Sequence, residues 1–294
     1  MTGMCQDRVC VVTGAARGIG RAHAEALAAD GALVVVNDVD GEAVDDSVAA
    51  LRASGADAVG HVGDVSTVDG AVDLIATAIE RWSRLDVVVN NAGITRDRML
   101  WNLEESDWDD VLRVHAKSTF LVTREAARHW RARSKAGDAV DGRVINTVSA
   151  TGLYGNVGQT NYAAAKGAIA SFTLVASMEL ARVGVTVNAV CPTALTDMTT
   201  DVLGATDDAK AGALDPRWVS PAVVWLASPL SADVTGRTIV ASGRRLAVAE
   251  GWHRGPTAAP VAKADEVDAV IRPLLAAAAP NADAQGDLPT RATP

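Results

Sequence analysis

The sequence predicts an α/β domain: a doubly wound, mostly parallel sheet of about seven strands with helices on both faces. Three observations predict it. Short Val-rich runs, nearly continuous in apolarity, recur along the chain, as strands of a parallel sheet covered on both faces must. Stretches with helical spacing separate them and are long enough to serve as crossovers. A glycine-rich segment, Thr13-Gly14-Ala15-Ala16-Arg17-Gly18-Ile19-Gly20, joins the first strand to the first helix, where such a sheet receives an anionic ligand.

In order, the predicted strands are Arg8–Thr13, Leu33–Asp38, Ala56–Val62, Leu85–Asn90, Arg143–Ser149, Val185–Cys191 and Arg237–Ala241. Helical patterns fill the gaps at Gly18–Ala29, Gly41–Ser54, Val68–Trp82, Glu104–Arg133, Thr160–Arg182 and Ser220–Ala227. The polar stretch Thr193–Pro216 is long for a connection and follows a strand, which is where a substrate lid belongs. One dinucleotide-binding catalytic domain is expected over residues 1–251, with residues 252–294 as a Pro-, Ala- and Thr-rich extension. There Val267, Val270, Ile271, Leu274 and Leu275 keep helical spacing, and Pro273 is expected to kink or split the helix. Pro280–Pro294 reads as a disordered tail.

The 294 residues are 49% hydrophobic, enough for a large core and too apolar for global disorder. A net charge of −9 offers no basic stripe and argues against nucleic acid as a partner. Strand-like residues begin at Arg8, so no signal or transit peptide is expected ahead of them. The longest uncharged run, Val144 to Ala165, is rich in Asn, Thr, Ser, Gly and Gln, so no membrane insertion is expected. Cys5, Cys10 and Cys191 have no metal-ligand spacing, and no metal is expected. Cys10 and Cys191 fall in apolar strand patterns and read as buried thiols in the reducing cytoplasm.

Within the glycine segment, Gly14 permits the tight turn, Gly18 lets the backbone approach a phosphate, and Gly20 lets the helix pack close to the sheet. With Arg17 and Ile19 these residues form a candidate dinucleotide site, the alternative being an ordinary strand-to-helix turn. Asp38 ends the second strand, placed to accept from the two adenosine ribose hydroxyls and to repel a 2′-phosphate. Its other reading is a helix cap, with Asp40 close by. Arg17 is the counter-signal, a base able to receive a 2′-phosphate. A fixed carboxylate at the ribose outweighs a guanidinium with other phosphates to serve, so NAD rather than NADP is the expected cofactor. Asp64-Val65 follows the third strand, where a carboxylate can accept from the adenine amino group and the adjoining backbone completes the pair. Capping the helix near Thr67 is the other role open to Asp64. Asn90-Asn91-Ala92-Gly93 ends the fourth strand at the same edge, and Asn90, Asn91 and Gly93 are expected to border the cofactor.

Tyr162 and Lys166 stand four apart in a predicted helix, hence on one face. Oxidising an alcohol by hydride transfer needs a base for the hydroxyl proton, and a free phenol with pKa about 10 is a poor one near neutrality. Lowering that value by roughly three units requires about 4 kcal/mol. A cation about 4 Å away, at an effective dielectric near 20, supplies about that much. Lys166, together with a positive nicotinamide, is a sufficient cause. Ser149, at the end of a strand thirteen residues before Tyr162, is placed to hydrogen-bond the substrate oxygen.

Together these motifs resemble the short-chain dehydrogenase/reductase family, over roughly Arg8 to Gly251. They are T-G-x-x-x-G-x-G (Thr13 to Gly20), Asp64, N-N-A-G (Asn90 to Gly93), Ser149 and Y-x-x-x-K (Tyr162, Lys166), in that order. The resemblance implies a Rossmann fold and an NAD-dependent oxidoreductase interconverting a secondary alcohol and a ketone. It implies that Tyr162 is the acid/base, that Lys166 lowers its pKa and binds the nicotinamide ribose, and that Ser149 positions the substrate. Several stretches are also similar to the (3R)-hydroxyacyl-CoA dehydrogenase part of peroxisomal multifunctional enzymes. These are Val34 to Asp38, Asn90 to Arg98, Arg113-Val114-His115, and Tyr154-Gly155-Asn156 with Gly158-Gln159.

Two departures stand out. His115 takes the place of the family's Asn, which holds a water connecting Lys166 to solvent; an imidazole can do the same, or can simply pack against the sheet. Pro192-Thr193 replaces the family's Pro-Gly, with Thr196 able to bond the nicotinamide carboxamide.

The substrate is open between a 3-hydroxyacyl-CoA and a hydroxysteroid. The alternatives are a 3-oxoacyl thioester reductase and a non-catalytic dinucleotide-binding sensor. Arg96 and Arg98 are candidates for the charges of a CoA ester, or a solvated surface pair. The lid holds Asp197, Asp201, Asp207, Asp208 and Asp215 against Lys210 alone, which suits a neutral lipid-like alcohol equally well. Met198, Leu203 and Leu214 are candidates for an apolar pocket or for helix packing. Glu104–Arg133 and Thr160–Arg182 carry more apolar residues than one sheet-facing stripe needs, and family members commonly pair these helices. A homodimer or homotetramer is therefore implied.

Overall fold

The computed structural model describes residues 3–194, 206–210 and 212–288. Eight strands form one sheet: β1 (Val9–Thr13), β2 (Leu33–Asp38), β3 (Ala58–Val62), β4 (Val87–Asn90), β5 (Gly142–Thr147), β6 (Val185–Pro192), β7 (Thr238–Ala241) and β8 (Leu246–Ala249). Their order is β3-β2-β1-β4-β5-β6-β7-β8. The first seven pair in parallel, and β8 runs antiparallel to β7. Between β1 and β4 the winding changes direction. That switch point opens a crevice at the carboxyl ends of the strands.

Strand alternation builds two cores from one sheet. Cys10 and Val12 of β1 pack on one face with Leu27 of α1 (Gly18–Ala29), Val44 of α2 (Gly41–Ala53) and Val223 of the helix Ser220–Ala227. Val9 and Val11 point the other way, to Leu74 of α3 (Val68–Trp82), Trp130 of α5 (Ser118–Lys135) and Ala176 of α7 (Thr160–Leu180). Both faces being covered is why the strands are nearly continuous in valine.

The structure departs from the expected elements in four places. The single helix expected over Glu104–Arg133 is α4 (Glu105–Leu112), a π-helical turn at Arg113–Lys117, and α5. The inserted turn carries His115, and such bulges gather where a side chain must be re-aimed. Strand β5 stops at Thr147, so Ser149 caps a short helix, α6 (Ala150–Tyr154), instead of ending a strand. An eighth strand follows the tight turn Ser242–Arg245, in which Ser242 N–H donates to Arg245 O at 2.9 Å. Its two outward residues, Leu246 and Val248, are exposed, which hid a strand signal of only four residues. Finally, Pro273 does not split the extension helix, which runs on over Val267–Ala277.

Cys5, Cys10 and Cys191 are all buried and free. Among the described residues one helix, Thr160–Val183, is long and apolar enough to cross a membrane by length and composition. Its inner face nonetheless buries Asn161, Lys166, Thr173 and Ser177 against the protein.

Candidate active site

The glycine loop is built by backbone-to-backbone packing. Gly14 and Gly18 hold left-handed φ values of 60° and 55°. A Cβ on Gly14 would sit 2.8 Å from Ala92 Cα, and one on Gly20 would sit 2.1 Å from Gly14 O. Thr13 Oγ1 accepts from the N–H groups of Asn91 and Ala92 at 2.9 and 3.0 Å. Asn91 Nδ2 returns bonds of 3.1 Å to both Thr13 O and Gly14 O. The loops after β1 and β4 are thereby clamped into one surface. Helix α1 opens on that surface with no side-chain cap and no acidic residue in its first turn. Its free N–H groups and the glycine cradle suit a dinucleotide pyrophosphate.

At the end of β2, Asp38 turns toward the loop, its Oδ2 accepting from Ala16 N–H at 3.4 Å. It does not cap α2; Asp40 does, accepting from Ala43 N–H at 3.2 Å. Asp40 also binds the Arg17 guanidinium. Arg17 is therefore engaged beside the end of β2.

Asp64 likewise caps no helix, since Thr67 caps α3 by accepting from Gly70 N–H at 3.1 Å. Its Oδ1 accepts from Ser66 N–H and Oγ at 2.9 and 2.6 Å, and its Oδ2 pairs with Arg113 at 3.0 Å. The Val65 side chain is buried, leaving its backbone for any adenine contact. Ile19 is partly buried against the first core.

Asn90 is placed otherwise than expected. Its Nδ2 donates to Thr123 Oγ1 at 3.0 Å and to Asn146 Oδ1 at 2.9 Å, inside the protein. Asn146 Nδ2 continues to Thr173 Oγ1 at 2.9 Å. This buried polar ladder ties α5, β4, β5 and α7 together, so the Asn90 amide serves the fold and not a ligand. Strand alternation is the reason: Asn90 faces the α5 side, while Asn91 turns out to the glycine loop.

Ser149, Tyr162 and Lys166 converge above this ladder. The Ser149 side chain hydrogen-bonds Tyr162 and accepts from Thr151 N–H at 3.2 Å as the cap of α6. Lys166, 3% exposed, lies one turn beyond Tyr162. Its Nζ donates to Thr147 O at 2.7 Å and stands 5.7 Å from the Tyr162 ring centroid. Burial pushes the Tyr162 phenol up to about 12, opposed by the Ser149 hydrogen bond. Burial also takes Lys166 down to about 7. Loss of water draws both groups toward their neutral forms.

His115 completes the wall. Its Nε2 is 3.0 Å from Ile94 N and 2.7 Å from Ile94 O, the roles depending on tautomer. Its Nδ1 is buried with no hydrogen-bond partner among the described residues. Burial, then the charge of Lys166, lowers its pKa to about 3, so the imidazole is neutral. A Cβ on Gly93 would lie 2.3 Å from its ring, which is why N-N-A-G ends in glycine here. Thr196, Asp197, Met198, Asp201 and Leu203 lie outside the described residues. Of the lid's other acids, Asp208 pairs with Arg244 at 2.6 Å and Asp215 with Arg217 at 2.8 Å. Leu214 is buried.

Sequence reasoning missed Asn161 and Gln159. Asn161 Oδ1 accepts from Tyr162 N–H at 2.8 Å, while its Nδ2 donates to Arg96 O and Asp107 O at 3.0 and 3.2 Å. Gln159 joins Asp97 at 2.7 Å to Thr151 at 2.9 Å. For Asn161 the available signal was a short amide side chain in the first turn of a predicted helix, where it competes for backbone. Arg98 pairs with Asp107 at 2.8 Å, and Arg96 is exposed with Nη1 on Thr95 O at 2.9 Å.

The sequence profile described as short chain dehydrogenase matches residues 8–207. The chain belongs to that family. It is 47% identical over 256 residues to hydroxyacyl-CoA dehydrogenase ChsB1 of Mycobacterium tuberculosis, covering 84% of this chain and 80% of that one. It is 40% identical over 228 residues to peroxisomal multifunctional enzyme type 2 of Mus musculus, covering 74% of this chain and 29% of that longer protein. The crystal structure of a short chain dehydrogenase from Mycobacterium avium superposes with a TM-score of 0.88 at 47% identity, covering 96% of this chain and 99% of that one. This short-chain dehydrogenase/reductase is therefore an oxidoreductase with a Rossmann fold, of the type that binds a nicotinamide dinucleotide.

Proposed function

We propose that this enzyme is an NAD-dependent dehydrogenase of 3-hydroxyacyl thioesters, CoA esters in particular. The observation carrying the cofactor choice is the pairing of Arg17 with Asp40 beside Asp38, whose carboxylate is held toward the glycine loop by backbone N–H groups. It removes the one base that favoured a 2′-phosphate and leaves a carboxylate facing the ribose hydroxyls. The identity to a hydroxyacyl-CoA dehydrogenase supports the substrate class.

In this reading Ser149 and Tyr162 hold the substrate oxygen between them, and the hydroxyl proton passes to Tyr162 Oη. The dinucleotide, when bound, supplies the acceptor for the hydride leaving the carbinol carbon. Lys166, anchored on Thr147 O, holds the nicotinamide ribose and offers its charge to the ionised phenol. Neutral His115 seals the phenol's other side from water and keeps positive charge off that wall. Asp64, Val65, Asn91 and Gly93 shape the adenine and nicotinamide ends. The same residues would run the reverse reaction when a 3-oxoacyl thioester and the reduced dinucleotide are supplied, the dinucleotide giving the hydride and Tyr162 the proton. A cytoplasmic setting agrees with three buried free thiols.

The test is to supply NAD or NADP with 3-hydroxyacyl-CoAs and hydroxysteroids and to follow formation of the reduced cofactor. Turnover of the thioesters with NAD supports the reading; preference for a steroid, or for NADP, overturns it.

A further inference from the structure

From residue 250 to residue 288 no side chain is buried, yet the end of this extension returns to the active-site wall in an ordered turn. Asp283 organises it: Gln285 N–H and Asp287 N–H both donate to Asp283 Oδ1 at 2.9 Å. Gly286 N–H donates to Asp283 O at 2.9 Å, and Asp283 N–H to Asp287 O at 2.9 Å. The turn makes two specific contacts. Asp287 takes Arg245, at the β7–β8 tip, in a two-pronged pair of 3.0 and 3.1 Å. Gly286, at φ 86°, lies so flat on Tyr154 that a Cβ there would meet ring atoms at 2.6 and 2.7 Å and the hydroxyl at 3.0 Å.

Tyr154 is the last residue of α6, the helix that Ser149 caps. Five residues of helix separate them by about 7.5 Å along the axis. Within α6 a Cβ on Gly152 would meet Lys166 Cβ at 2.5 Å, so this helix lies directly against the catalytic one. A turn seated on Tyr154 therefore stands beside the catalytic group, one short helix from Ser149.

We propose that the turn Asp283–Asp287 is a movable wall of the substrate pocket, seated by Gly286 on Tyr154 and by Asp287 on Arg245, and that it sets how long or bulky an alcohol the enzyme accepts. The inference rests on the dehydrogenase reading above. The seat is weak by construction: an exposed ion pair competes with water, and no buried side chain of the extension anchors the rest. The wall opens without disturbing either core.

Two readouts test it on the full-length enzyme. The chain has only two tyrosines, so tetranitromethane nitration, carried out with Tyr162→Phe as the common background, reports on Tyr154 alone. Asp287→Ala and Gly286→Ala, which unseat the turn by different means, should each nitrate Tyr154 several-fold faster than the parent. Both should raise the ratio of kcat/KM for 3-hydroxyhexadecanoyl-CoA over 3-hydroxybutyryl-CoA by about tenfold, the scale of a pocket-size discrimination. Arg245→Asp combined with Asp287→Arg should return both readings toward the parent. Unchanged nitration means that the turn does not cover Tyr154 and overturns the proposal. Faster nitration with an unchanged ratio overturns it as well, because the turn then covers Tyr154 without bounding the pocket. If the parent oxidises neither thioester, the substrate reading fails on its own. The ratio is then taken between a hydroxysteroid and 2-butanol, with the same two outcomes.

Discussion

The imidazole of His115 stands edge-on to the phenol of Tyr162, with ring centroids 5.2 Å apart and planes at 88°. The histidine is buried and the tyrosine half-buried, and the π-helical turn at Arg113–Lys117 carries the histidine. His115→Ala should lower kcat about tenfold by letting water reach the phenol, and should cost roughly 1–3 kcal/mol for a stranded Ile94 N–H. The acid limb gives a second readout. A histidine whose folded pKa is about 3, against 6.5 free, gives stability present above 6.5 and lost as pH falls toward 3. His23, also buried and at about 3, adds to the same window. Tm should fall between about pH 6 and 4, above the carboxylate range, and the fall should be shallower in His115→Asn. An unchanged slope would show that His115 titrates normally.

Asp38 should set cofactor choice. Replacing it with alanine removes two hydrogen bonds to the ribose and the repulsion of a 2′-phosphate, together worth about 1.5–3 kcal/mol. The NAD-over-NADP ratio of kcat/KM should therefore shrink by about 10- to 100-fold. Asp40→Ala, which releases Arg17 while leaving Asp38 in place, should shrink it less. A ratio unmoved by Asp38→Ala would place the ribose elsewhere.

The ladder from Thr123 through Asn90 and Asn146 to Thr173 should act as a structural brace beneath the catalytic helix. Thr173→Val keeps shape but strands Asn146 Nδ2 in the core, at a cost of about 1–3 kcal/mol. Tm should drop by several degrees, and Thr173→Ser should recover most of it. Full stability in the valine variant would mean that water replaces the hydroxyl.

Much of this was legible in the chain. The seven parallel strands declared themselves because burial on both faces leaves little room for polar residues, and the glycine loop, Asp38 and Asn91 gather at one edge because they sit at strand ends. What escaped notice had a local cause. Asn90 and Asn91 are identical in type, and only strand alternation sends one inward and the other to the glycine loop. Asp38 and Asp40 compete for the same capping role, and the choice depends on where α2 begins. The π-turn at His115 adds a residue to a helix without changing its composition. The sequence reveals a cation four residues from the phenol but not the burial around both groups, which pushes the phenol the other way.

Assembly is a further expectation. Phe120 on α5 and Leu174, Val175 and Met178 on α7 are exposed, Met178 by 72%. Such a patch on two adjacent helices fits a second copy of the chain. Met178→Glu should convert a dimer or tetramer to smaller species in light scattering. A parent protein that is monomeric and fully active when dilute would refute the pairing.

The proton step yields the sharpest test. With burial holding Tyr162 near 12, the cofactor-free enzyme should show tyrosinate absorbance only well above the ordinary phenol value of 10.0. A raised folded pKa also gives stability that is complete below pH 10 and lost as pH rises through about 12, so alkaline unfolding should accompany the titration. Saturating NAD places a positive ring beside the phenol and should move one tyrosine's titration down; Tyr162→Phe should abolish that movement. Tyr162→Phe should also cut turnover by about 10²- to 10⁴-fold while leaving NAD affinity nearly intact, because the ring still packs. Lys166→Ala should damage both turnover and cofactor affinity, since its ammonium serves phenol and ribose together. Ser149→Ala should cost less, because Tyr162 still holds the substrate oxygen. Alcohol oxidation should accelerate with rising pH in the parent, and Lys166→Ala should shift that rise upward. Near-normal turnover in Tyr162→Phe would send the proton to another group, and His115, with its unpartnered Nδ1, is the first to examine.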